Sequence, residues 1–169
     1  MGRSDQRAAE LRTGPITPAT TALTRAGVAF TAHPYAHDPS TANFGREAAE
    51  ALGVEAERVF KTLLADVDGG LVVGIVPVTT RLNLKALAAA VGGKRAVLAD
   101  PATAERRTGY VVGGISPVGQ KMQHRTVLDE SAELFDSVFV SGGRRGFDIE
   151  LATTDLVRVT GAIVADIAR

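Results

Sequence analysis

The 169-residue chain has no cysteine and no tryptophan, and aromatic side chains make up only 5% of it. The missing cysteine excludes a disulfide framework, a thiolate zinc site and a cysteine nucleophile, and it fits a reducing compartment. With so few aromatics, the core must be built mainly from Val, Leu, Ile and Ala. An excess of charge of either sign is also missing, because nineteen basic residues balance nineteen acidic ones. A dedicated non-specific nucleic-acid binder is usually strongly basic, since its affinity for phosphates scales with the charges neutralised. Any RNA contact must therefore come from local patches. No hydrophobic run is long enough to span a bilayer, and the polar opening MGRSDQRAAELRTG lacks the apolar stretch of a signal peptide. The expectation is a cytoplasmic protein with no membrane partner. Residues 1–16 read as a tail preceding one domain over 17–169.

What is present reads as interleaved helices and strands. Thr17-Pro18 and Asp100-Pro101 are cap-plus-proline helix starts. The first helix closes at Gly27 and the second of these at Gly109. Further helices are predicted over 43–52 and 84–91, each followed by glycine, and a last one begins near Thr154. Strands are predicted over 28–32, 59–67, 71–76, 96–98, 126–128, 138–141 and 147–151. Asp68-Gly69-Gly70 marks a hairpin between two of them. Pro34 and Pro39 bracket a loop that is no regular helix. The irregular alternation with one clear hairpin predicts a mixed α/β fold over a strictly parallel sheet.

Five features bear on chemistry. His33 and His37 are four apart with Pro34 between them, so no helix aligns them, and the bland reading is two loop histidines. There is no G-x-S-x-G elbow, Walker loop or dinucleotide fingerprint. Lys61 and Thr62 interrupt an apolar strand, Lys61 sharing a face with Val59 and Leu63, and Thr62 with Phe60 and Leu64. A lysine kept partly dry suits holding a phosphate or carboxylate, or acting as a base; on an edge strand it would simply be solvated. The run Gly113-Gly114-Ile115-Ser116-Pro117 is either a structural turn or a loop whose backbone approaches a ligand. Asp148 and Glu150 share one strand face, which reads first as solvated. Basic clusters at Lys94-Arg95, Arg106-Arg107, Lys121 with Arg125, and Arg144-Arg145 are either solvated turns or the frame of a polyanion-binding mouth.

Several motifs stand in a recognisable order: TPA at 17–19, Y-x-HDP at 35–39, NFG at 43–45, KTLL at 61–64, ADP at 99–101, TGY-x-VGGISP-x-GQK at 108–121, VSGG-x-RG-x-DIEL at 140–151 and ADIAR at 165–169. On these the chain resembles the YbaK/EbsC family of aminoacyl-tRNA deacylases, related to the editing domain inserted in bacterial prolyl-tRNA synthetases. The resemblance is closer to the Cys-tRNA(Pro) deacylase branch. It implies a single mixed α/β domain with a partly barrel-like sheet and flanking helices. It implies cleavage of the ester between cysteine and the terminal ribose of tRNA(Pro), with no metal, cofactor or protein nucleophile. The substrate's own thiol would attack its carbonyl, giving a cyclic thioester and free tRNA.

The same resemblance places the key lysine at Lys61, followed by Thr62, and substrate-pocket positions at Tyr35, Phe44, Gly113, Ser141 and Asp148. The loop through Gly114, Ile115, Ser116 and Pro117 would help hold the aminoacyl group, with Gly113 nearest the chemistry. Asp148 would bind the α-amino group. Two positions depart from the family pattern: Ala36, where an acidic residue is usual, and His124, where a basic or small one is. Alternatives are a deacylase for another amino acid such as alanine, and a non-catalytic tRNA-end binding module. With neutral charge, tRNA selectivity is expected to be supplied by prolyl-tRNA synthetase as a partner. Oligomeric state leaves no sign in the sequence.

Overall fold

The computed structural model describes residues 14–169; the first thirteen residues of the expected tail lie outside it. Five helices and eight strands follow in the order α1 (Pro18–Arg25), β1 (Phe30–Pro34), α2 (Phe44–Leu52), β2 (Phe60–Val67), β3 (Gly70–Pro77), α3 (Leu84–Ala90), β4 (Ala96–Leu98), α4 (Pro101–Thr108), β5 (Arg125–Asp129), β6 (Ser137–Arg144), β7 (Phe147–Ala152), α5 (Thr153–Thr160) and β8 (Ile163–Ala165). Helix starts follow the cap chemistry. The side chains of Thr17, Asn43, Asn83 and Asp100 each accept from an amide of the first turn. Gly53, Gly109 and Gly161 end α2, α4 and α5 in the left-handed conformation.

The strands form two sheets. One is three-stranded and antiparallel, in the order β1-β7-β6. The other is five-stranded and mixed, in the order β4-β2-β3-β5-β8, with β3-β5 and β5-β8 parallel. The sheets do not close into a barrel. Side chains of both pack into one core, and a parallel bridge links Val59, just before β2, to Phe139 of β6. Arg58 reinforces this junction: its guanidinium lies 5.1 Å from the Phe139 ring centroid and donates to Glu150 Oε2 at 3.1 Å and to Ser137 Oγ at 2.8 Å. Glu150 also meets His33 Nε2 at 3.2 Å. Its strand face is therefore occupied by partners, where the sequence alone favoured open solvent.

Alternation divides the core. On β3, Val73 and Ile75 enter a cluster with Leu128, Ile149, Leu151 and Leu156 between the sheets and helices α1 and α5, while Val72 and Val76 join Leu87, Val127 and Ile167 on the α3 side. A third cluster packs Ala48 and Ala49 of α2 against Val59, Val78 and Phe139. As expected from composition, these clusters are mostly aliphatic.

Three details differ from the sequence reading. The first strand runs Phe30–Pro34, two residues later than expected, because Val28 packs into the core before pairing begins. The turn at 141–146 is a bulged hairpin with β6 continuing to Arg144. Strand β8 was too short to show a period.

Leu128 is fully buried between the sheet and α5. Leu128→Ala should lower the urea-derived unfolding free energy by about 2–5 kcal/mol. A loss under about 1 kcal/mol would contradict close packing at this layer.

Candidate functional site

A cavity of about 550 Å³ opens where the two sheets meet. Eight of the residues singled out in the sequence line it: Tyr35, Phe44, Lys61, Thr62, Gly113, Ile115, Ser141 and Asp148. Gly114, Ser116 and Pro117 do not. Ser116 is fully buried behind the wall, its hydroxyl accepting from the Val118 amide and its carbonyl from Gln120 Nε2. Pro117 lines a smaller hollow on another side, with Gln120 and His124.

Several elements from both sheets bring the lining residues there. Lys61 and Thr62 lie at the start of β2, which is covered on both sides. The Lys61 ammonium donates to the Thr80 carbonyl oxygen at 2.7 Å. Among the described residues it has no carboxylate partner. Burial, helped by the nearby charge of Arg81, lowers its affinity for a proton below that of an ordinary lysine. The Thr62 hydroxyl is buried without a hydrogen-bond partner among the described residues. Such a group is costly unless a ligand or water completes it.

Asp148 comes from the other sheet, facing Ser141 of β6 and His33 of β1 across the register. It is 6% exposed and makes no ion pair or side-chain hydrogen bond among the described residues. Burial pushes its carboxyl up to about 7. The same burial effect, followed by the charges of Asp148 and Glu47, holds the Tyr35 phenol well above its ordinary value. A cation and a carboxyl, both partly dry and both unpaired, thus line one cavity without neutralising each other.

Glycine shapes the rim. Gly113 has φ +87°, and a Cβ there would lie 2.8–2.9 Å from three atoms of the Phe44 ring. Only glycine lets the loop pass over that ring without strain. Gly114 sits so close to the Arg144 backbone that a Cβ would come within 2.7 Å of it. Phe44 is held from above by Arg145, whose guanidinium lies 5.0 Å from the ring centroid and whose Nε donates to the Val112 carbonyl at 2.8 Å. In the sequence Arg145 stood in a basic turn and in the VSGG-x-RG motif, with no sign of its contact with Phe44. Another wall, with Leu98, Ala99, Pro101 and Ala104, is apolar; its sequence signals were a strand-then-helix pattern and the ADP motif at 99–101.

His33 and His37 do not meet over a metal. His33 contacts Glu150, and His37 Nδ1 contacts Glu47 Oε1 at 2.7 Å. Of the other basic clusters, the amides of Lys94 and Arg95 cap the Asp68 carboxylate, and Arg107 reaches the Met122 sulfur.

The aminoacyl-tRNA editing domain family matches residues 38–159, a span that holds the cavity from Phe44 to Asp148. The chain belongs to that family. Among its relatives is the EbsC protein of Enterococcus faecalis, which bears the provisional name Cys-tRNA(Pro)/Cys-tRNA(Cys) deacylase. The two are 41% identical over 120 residues, covering 70% of this chain and 73% of EbsC. The multifunctional Ser/Thr-tRNA deacylase ProXp-y of Escherichia coli is 33% identical over 89 residues, covering 52% of this chain and 53% of that protein. A crystal structure provisionally described as a trans-editing enzyme for prolyl-tRNA synthetase superposes with a TM-score of 0.78 at 26% identity, covering 92% of this chain and 99% of that one. The mixed single-domain architecture is thus that of an editing domain. No helix among the described residues is long and apolar enough to cross a membrane.

Asp148 gives this editing domain a pH signature. Its folded pKa of about 7 lies above the ordinary aspartate value near 4. The folded state therefore binds more protons than the unfolded state between about pH 4 and 7, and stability falls as pH rises through that window. Asp148→Asn removes the effect. Its urea midpoint should match the parent's below about pH 4 and exceed it above about pH 7, by of order 2–4 kcal/mol in unfolding free energy. Parallel pH profiles for the two proteins would mean that Asp148 is ionised at neutral pH.

Proposed function

We propose that the protein is a trans-editing aminoacyl-tRNA deacylase whose substrate is cysteine mischarged onto proline tRNA. The observation that carries the reading is the pairing of unneutralised groups in one cavity, Lys61 from one sheet and Asp148 from the other. The aminoacylated end of a tRNA has complementary charges: phosphate on the nucleotide side and an ammonium on the amino acid. A volume of about 550 Å³ lies within the range usual for small-molecule sites, and it suits one aminoacyl-adenosine end better than a duplex.

In this reading Lys61 binds the terminal adenosine or its phosphate and orients the ester. Its bond to Thr80 keeps the side chain from swinging freely. Asp148 takes the α-ammonium, and binding it offsets the cost of ionising a buried carboxyl. Gly113 and Ile115 bring the loop close to the aminoacyl group, Thr62 and Ser141 offer hydroxyls, and Tyr35 and Phe44 limit its size. Gly114, Ser116 and Pro117 act from behind, by setting the path of the loop. The chain supplies no cysteine, and the Ser116 hydroxyl is turned into the protein.

The chemical step is assigned to the substrate. The cysteine sulfur attacks the ester carbonyl, the bond to the ribose oxygen breaks, and that oxygen leaves with the proton lost by the thiol. A cyclic thioester and free tRNA result, and water later opens the thioester. A thiol held beside its own carbonyl has a high effective concentration, so the protein mainly has to position and to stabilise charge. Net neutrality gives the chain little general hold on RNA. Discrimination between tRNA(Pro) and tRNA(Cys) is therefore assigned to a complex with prolyl-tRNA synthetase.

Purified protein incubated with Cys-, Ala- and Ser-tRNA(Pro) should release cysteine and leave the others charged, and Lys61→Ala should lose at least about a hundredfold in rate. Release of serine or alanine instead would keep the deacylase and discard the thiol step. Survival of all three esters would leave a tRNA-end binding module. Gly113→Ala, which drives a methyl into Phe44, should lower kcat/KM by about tenfold or more. Unchanged kinetics in that variant would place the aminoacyl group elsewhere.

A further inference from the structure

The ADIAR segment at 165–169 lies outside the cavity, yet it is tied to Lys61 through one peptide plane. The Lys61 ammonium donates to the Thr80 carbonyl oxygen at 2.7 Å. The amide of Arg81 belongs to that same peptide unit, and it donates to the main-chain oxygen of Arg169 at 2.9 Å. In a trans peptide the C=O and N–H point in opposite directions. Holding one end of the plane therefore aims the other. Bonds at both ends also polarise each other, so the Thr80 oxygen becomes a better acceptor for an ammonium.

The segment's grip is itself anchored. Arg169 N–H donates back to the Arg81 oxygen at 2.9 Å, and Asn83 N–H donates to the Ile167 oxygen at 2.7 Å. Leu82 and Ala168 form the antiparallel bridge between them. Behind these bonds lies Asp129, at the end of β5 and 3% exposed. Its Oδ1 accepts from both Ile167 N–H and Ala168 N–H at 3.0 Å, and its Oδ2 accepts from the Ser131 amide and hydroxyl. The carboxylate has no cationic partner among the described residues; its hydrogen bonds go to backbone amides of the segment and to Ser131. Ile167, fully buried beside Leu87 and Val127, holds the same stretch from the core side.

We infer that Asp129 is a positioning residue for Lys61, acting through residues 167–169 and the Thr80–Arg81 peptide. Lys61 sits half-buried beside the like charge of Arg81, so it would swing away if its acceptor were mobile. Asp129 fixes that acceptor without touching the cavity. The inference rests on the function assigned to Lys61 above, but the link itself is a matter of structure and can be read separately.

The test compares Asp129→Ala, Asp129→Asn and Arg169→Pro with the parent. Asparagine keeps an oxygen for the two amides, whereas alanine does not. Proline at 169 removes the N–H bonded to Arg81 and leaves the core alone, which covers the case of an Asp129→Ala protein that does not fold. Two signals are followed: turnover of Cys-tRNA(Pro), and the Lys61 side-chain resonance in lysine-labelled NMR of the intact protein. Asp129→Ala and Arg169→Pro should lower kcat by about tenfold with KM within about twofold, and should shift the Lys61 resonance. Asp129→Asn should recover most of both. Leu156→Ala, a core change on α5 outside the cavity lining, serves as a stability control and should leave the Lys61 resonance in place. An unmoved Lys61 resonance in Asp129→Ala and Arg169→Pro overturns the inference, as does an Asp129→Asn protein no better than alanine. If the parent releases no amino acid, the proposed function falls and the Lys61 resonance alone decides the positioning role.

Discussion

Strand β2 has no exposed face. One side carries Phe60 and Leu64 into the core between the sheets, and the other carries Leu63 and Ala65 toward α3. Its edges are taken by β3 along its full length and by β4 over its last residues. Just before it, Val59 bridges to Phe139 and joins the two sheets. Lys61 and Thr62 are therefore placed by a strand that has nowhere else to go. A lysine on a freely solvated edge would keep its full hydration and have no reason to be half-dry. Here the constraint on β2 holds the ammonium at the cavity, and the Thr80 carbonyl meets it there.

The two sheets divide the electrostatic work. The five-stranded sheet contributes the cation and the three-stranded sheet the carboxyl. Placing them on one sheet, side by side, would have let them neutralise each other and close the site as an internal ion pair. Burial of both without pairing is unfavourable in isolation. It is the kind of local cost expected where a ligand of complementary charge completes the arrangement. Phe44, Gly113 and Arg145 then form the rim by stacking, ring on guanidinium and loop on ring, with the Arg145 bond to the Val112 carbonyl fastening it.

Much of the fold was legible in the sequence because its boundaries are made by short-range chemistry. Thr17, Asn43, Asn83 and Asp100 cap where their side chains reach an amide three residues on, and glycines stop helices where φ turns positive. The hairpin at Asp68-Gly69 follows from the same local rules. What stayed hidden was long-range. Nothing local says that the strands would split into two sheets, or that a bridge between residues eighty apart would join them. From alternation alone Asp148 read as facing water, since Glu150 shares its face, and only the family resemblance placed it in a pocket. At the cavity wall formed by Leu98 and Ala99, the ADP motif gave a mark but no sign of which cavity it would line. By contrast Lys61 stood out, because a charge in an apolar strand conflicts with its surroundings in the sequence itself.

Those two kinds of signal bear differently on the site. Residues that break a local rule, Lys61 in its strand and Gly113 at φ +87°, could be picked out one at a time. Residues that obey every local rule and still shape the site, such as Asp129, become visible only through partners far away in the chain. Asp129 looks like an ordinary strand-end aspartate, yet it spends two acceptor sites on amides thirty-eight and thirty-nine residues away. A carboxylate that takes on that task while buried must be repaid in order, and the order it creates ends at the acceptor of Lys61. The cavity therefore depends on a supporting frame that is wider than its own lining, and on hydrogen bonds that no run of the sequence displays.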